Sequence, residues 1–121
     1  MYVAIISIYK HEPDSNNGNT DIRTICVSDK KQICAETIRQ NIHNTVEDCK
    51  RHEDMRLLSI NGINFENDEY NPESQSIPYE QYIELYIDRN IDTEASIKLQ
   101  DTSGEKYMYD ITYKTLQISA N

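Results

Sequence analysis

Cys49 and His52 stand three residues apart, a spacing that puts a thiol and an imidazole on one helical face and suits a metal pair or an activated nucleophile. A structural zinc needs four ligands, and no second close Cys/His pair exists in the chain. The pair is therefore expected to be a core thiol beside a solvated histidine, with no metal and no cofactor. Cys26, Cys34 and Cys49 are odd in number and well separated, which points to free thiols in a reducing, cytoplasmic setting rather than a disulfide scaffold. With Gly18, Gly62 and Gly104 as the only glycines, neither a dinucleotide fingerprint nor a Walker loop can form, so P-loop hydrolysis is excluded. Asn67, Asp68, Glu69, Asn71 and Glu73 offer oxygens to calcium. They lack the ligand order and central glycine of an EF-hand, and a solvated acidic loop is expected instead. Acid–base carboxylate pairs are recognised by separation and environment rather than abundance, so no catalytic residue is assigned and the chain is not expected to be an enzyme.

The charge is unevenly placed. Residues 66–94 hold nine acids against the single base Arg89, a net −8 of the chain's −9, while residues 1–65 carry −1 and residues 95–121 carry 0. Clustered charge of one sign steers oppositely charged surfaces and repels phosphate backbones and anionic membranes. Four tyrosines interleave with the acids, and tyrosine is enriched at interfaces because it supplies contact area at low entropic cost. The candidate partner-binding residues are Glu66, Asp68, Glu69, Tyr70, Glu73, Tyr79, Glu80, Tyr82, Glu84, Tyr86 and Asp88.

These residues must be positioned by a scaffold, and at 121 residues the chain is expected to form one compact domain. Residues 2–9 are dense in β-branched and aromatic side chains and apolar on both faces, which predicts a central strand covered on both sides. A loop over 10–20, containing Pro13 and Gly18, leads to a second strand over 21–27 that pairs antiparallel with the first. Asp29, with Gln32 three residues on, predicts a helix cap. Cys34, Ile38, Ile42, Val46 and Cys49 then form one apolar stripe along a helix over 29–51, whose basic end at Lys50 and Arg51 complements the helix dipole.

Asn61-Gly62 between the apolar runs 55–60 and 63–65 predicts a tight type I′ hairpin, because that turn needs positive φ at both central residues. Residues 56–65 resemble the strand-turn-strand segment of PDZ domains over about a tenth of the chain. The glycine-rich carboxylate-binding loop of that family has no counterpart here, so peptide binding is not carried over. Residues 67–76 form a polar loop. Residues 78–88 fit two periods: Tyr79, Tyr82, Ile83, Tyr86 and Ile87 have helical spacing, while 82–88 alternate as a strand. The β-rich composition favours the strand, with a second helix at 78–88 as the alternative. A strand over 95–99, a turn over 101–105 and a long strand over 106–118 complete the chain. In the last strand Tyr107, Tyr109, Ile111 and Tyr113 share the buried face.

The expected fold class is α+β, an antiparallel sheet of about six or seven short strands with one principal helix on one face. No apolar run approaches the ~20 residues of a membrane span, and no signal peptide is read. The expected function is that of a small acidic interaction protein, an inhibitor or immunity-type protein such as a toxin antidote or phage anti-defence factor. Its partner would present a basic surface, for instance that of a nucleic-acid-binding enzyme, without direct nucleic-acid or membrane binding. A binding module for a small polar or cationic ligand is the alternative, and an enzyme with an unrecognised carboxylate site stands third.

Overall fold

The structure, a computed structural model, describes residues 1–12, 18–52, 54–64, 79–103 and 107–119, the side chains of Tyr79 and Glu80 excepted. The elements run β1 (Tyr2–His11), β2 (Gly18–Ser28), α1 (Lys31–Arg51), β3 (Met55–Ile60), β4 (Ile63–Asn64), α2 (Tyr79–Asn90), β5 (Glu94–Asp101) and β6 (Met108–Gln117). The six strands form one antiparallel sheet in the order β2-β1-β6-β5-β3-β4. The fold is α+β, with α1 as the principal helix and α2 as a second, shorter one.

The first and last strands are neighbours at the centre of the sheet, in continuous register from Tyr2 opposite Gln117 to His11 opposite Met108. Alternation decides what each face holds. Ala4 and Ile6 of β1, Ala95, Ile97 and Leu99 of β5, and Ile111 and Tyr113 of β6 enter the core under α1, which contributes Cys34, Ile38, Ile42 and Val46. The predicted stripe of α1 is thus the buried one, with Cys49 half-buried at its end.

Val3 and Ile5 lie on the other face, where no helix covers them among the described residues. β1 is an interior strand as expected, between β2 and β6, and its helix-covered face is the one bearing Ala4 and Ile6. Val3 is nonetheless buried, with Val27 of β2 and Leu116 of β6 as its cross-strand neighbours. The strands also extend further than expected: β1 reaches His11 and β2 starts at Gly18, cutting the predicted loop short. Glycine at that position lets the Tyr9 ring lie over the backbone where a Cβ would collide with it.

The predicted cap at Asp29 fails. The N-cap is Lys30, without a side-chain cap bond, while the nearby Ser28 Oγ accepts the Lys30 N–H at 3.0 Å and the Lys30 carbonyl accepts the Ile33 N–H at 3.2 Å. A serine on the strand end competes locally for the backbone and starts the helix two residues later than the sequence pattern suggested. The basic end holds, with Lys50 and Arg51 in the last turn. The Asn61-Gly62 turn forms as expected, with φ of 50° and 81° and Ile60 paired with Ile63 across it. Phe65, the polar loop over 67–76 and Gly104 in the 101–105 turn lie outside the described residues.

Candidate interaction surface

The two periods of residues 82–88 resolve in favour of α2. Ile83 and Ile87 are 3% and 0% exposed, followed by Ile91 at 2%. This four-residue spacing buries one helical face in the core shared with α1. The strand expectation fails because a strand would have divided these isoleucines from the tyrosines across two faces. Sheet propensity is a weak preference that this packing overrides. Tyr82 and Tyr86 consequently do not form an outward row with Glu84 and Asp88: they are partly buried and packed against the core.

Three contacts fix α2 and its exit. The Arg39 guanidinium donates to the Ile91 carbonyl at 2.7 Å, the Asn90 amide to the Tyr86 carbonyl at 3.1 Å, and His43 Nε2 to Asp88 Oδ1 at 2.9 Å. Glu84 and Asp88 are exposed on the helix, and Asp92 and Glu94 are exposed on the segment that follows. Asp88 thus has two roles, since its carboxylate both presents charge and holds α2 against α1. Of the other sequence candidates, Glu66, Asp68, Glu69, Tyr70 and Glu73 lie outside the described residues, as do the side chains of Tyr79 and Glu80.

The tie through Arg39 and His43 was not found from sequence. Both flank the apolar stripe of α1, the position from which a polar side chain reaches a neighbouring helix, but their partners lie 52 and 45 residues away. A groove of about 500 Å³ was also missed. It opens at the end of α1 and is lined by Asp48, Cys49, His52, Asp54, Asp101 and Ser103, among others. The chain folds over there through Met55 N–H to His52 O at 3.1 Å and Thr102 N–H to Asp54 O at 2.7 Å. Asp101 accepts from the Ser103 hydroxyl and backbone at 2.6 and 2.9 Å. Those bonds, with the charge of Lys10, hold its carboxyl below the usual range.

The same groove decides the chemistry of Cys49. Burial, with the adjacent Asp48 charge, pushes its thiol up to about 11, so at neutral pH it stays protonated and is a poor nucleophile. His52 beside it is exposed. Burial likewise raises Cys34, and the neighbouring Cys26 thiol adds to the effect. All three cysteines are free. Among the described residues no three His, Cys, Asp or Glu side chains gather as a metal site, and no helix is long and apolar enough to cross a membrane. Compared with protein-family models, curated proteins and solved structures, the chain shows no match.

Proposed function

We propose that this protein is a small acidic interaction module that engages a basic surface of another protein, in the manner of an inhibitor or immunity-type protein acting in a reducing compartment. The observation that carries the proposal is α2: its isoleucines are locked in the core while Glu84 and Asp88 stand outward, with exposed Asp92 and Glu94 beyond them. A rigid acidic ridge gains association rate by steering and presents its charges without an ordering cost on binding. The half-buried Tyr82 and Tyr86 brace this ridge rather than project from it, so the charges, more than the tyrosines, carry recognition. A partner that normally holds nucleic acid would offer a fitting surface, because carboxylates can occupy the positions of phosphates.

The test begins with capture of the bound protein from the native cell and continues with association kinetics. Glu84→Lys combined with Asp92→Lys spares the Asp88–His43 tie. Folding is expected to stay intact, since exposed charges contribute little to stability, while association slows roughly tenfold or more at low salt. Rates indifferent to both salt and the reversal would reject the proposal and leave the ridge as a solubility feature. A second reading, binding of a small organic cation, is favoured by the groove holding Asp48, Asp54 and Asp101, whose volume suits a small ligand. Calorimetric titration with a polyamine distinguishes the two: heat lost in Asp54→Asn and kept in the α2 variant would favour the groove.

A further inference from the structure

β2 is an edge strand of eleven residues, and its outer edge hydrogen-bonds to no strand among the described residues. Such an edge is a template for another strand unless it is short, charged throughout, or interrupted by proline. β2 is long and carries no proline, its charged residues are Asp21 and Arg23 alone, and its irregularity at Ile25 lies past the stretch 18–24. Residues 18–24 are all exposed, and they keep a regular register with β1 up to the irregularity at Ile25. Within this stretch Ile22 is 64% exposed, the highest value among the large apolar side chains of the described residues.

The pattern around Ile22 is self-complementary. Asp21 and Arg23 flank it, joined by a 3.1 Å ion pair with both side chains more than 60% exposed. Both lie opposite Ile8 and Ile6, on the helix side of the sheet, whereas Thr20, Ile22 and Thr24 lie opposite Tyr9, Ser7 and Ile5 on the other side. We infer that β2 pairs antiparallel with β2 of a second copy about a two-fold axis through Ile22, joining the two sheets. That axis sets Ile22 against Ile22, Thr20 against the second copy's Thr24, and Asp21 against the second copy's Arg23, each of the last two contacts occurring twice.

Aliphatic, threonine and opposite-charge pairs are the cross-strand combinations that stabilise antiparallel ladders. No other residue as centre brings the two charges of β2 together. Asp21 and Arg23 cancel, so the edge itself is neutral even though each copy carries −9. The remaining repulsion is screened beyond about 8 Å at physiological ionic strength. This surface is separate from the acidic ridge of α2, and the inference does not depend on the proposed function.

Sedimentation equilibrium of the full chain at physiological salt tests it, with circular dichroism confirming that each variant is folded. The unmodified protein should form a concentration-dependent dimer. Asp21→Arg alone, or Arg23→Asp alone, sets like charges opposite each other twice and should weaken the dimer roughly tenfold. The double swap, Asp21→Arg with Arg23→Asp, restores opposite charges across the axis and should return the dissociation constant to near its original value. A monomer at all concentrations overturns the inference. So does a dimer indifferent to the single reversals, or one that the double swap fails to restore, since either would use another surface.

Discussion

Tyr113 shows how a single side chain couples the two layers of the molecule. It is 2% exposed on β6, and its hydroxyl donates to Asn41 Oδ1 of α1 at 2.5 Å. Burial pushes its phenol up to about 12 from an ordinary 10, although the Thr45 hydroxyl offsets part of the shift. Between those values the unfolded chain releases a proton that the folded chain keeps, so the folded state binds more protons and stability falls as pH rises. The contribution is fully present below pH 10 and lost by about pH 12, a decline of roughly 2–3 kcal/mol. Tyr113→Phe should abolish that part of the decline while costing about 1 kcal/mol at neutral pH through the lost hydrogen bond. Urea midpoints measured across the alkaline range check both outcomes, with Cys49 adding an earlier fall that both proteins share. The alternation of residues 107–113 was enough to place Tyr113 inside. Its partner Asn41, 72 positions away, carries no such mark.

Among the elements, the β3–β4 hairpin and α2 mark opposite ends of legibility. The hairpin rests on local backbone chemistry, because Asn61 and Gly62 both accept the positive φ that the turn requires. A Cβ added at Gly62 meets nothing within 4 Å, so Gly62→Val places its Cβ in open space. It should still destabilise by roughly 1 kcal/mol or more through backbone strain alone, read as a lower unfolding midpoint at unchanged m-value. An unchanged midpoint would contradict the turn. For α2 the local signals conflict, since its isoleucines and tyrosines favour strands while their spacing favours a helix. Only a core with room for Ile83, Ile87 and Ile91 beside α1 settles the matter, and it also turns the tyrosines inward.

On the scale of the whole molecule, the decisive contact is that between β1 and β6, the two ends of the chain side by side in mid-sheet. Met1 O accepts the Ile118 N–H at 2.8 Å, and Ile111 and Tyr113 supply the core beneath α1 and α2. A chain cut before Met108 therefore loses a central strand rather than a tail. It exposes the inner edges of β1 and β5 and opens the core between them. Such a truncation should show no cooperative unfolding transition and no protected amides, whereas the intact chain should show both by hydrogen exchange. Closing the longest possible loop before this pairing forms also predicts slow folding, on the millisecond-to-second scale of non-local β topologies.

What the amino-acid sequence determined by itself is what depends on neighbours within a few residues: the stripe of α1, the Asn-Gly turn, the alternation of β6, the α+β class and the concentration of acid in residues 66–94. Periodicity and turn chemistry are short-range properties, and here they agree with the fold. The tertiary structure alone decided which competing local signal prevailed. It made α2 a helix because its isoleucines fit the core and, among the described residues, set both helices on the same face of the sheet. It also gave Asp88 a partner in His43 and joined Asp48, Asp54 and Asp101 around one groove. These outcomes depend on residues tens of positions apart meeting in space, and no local pattern records such meetings.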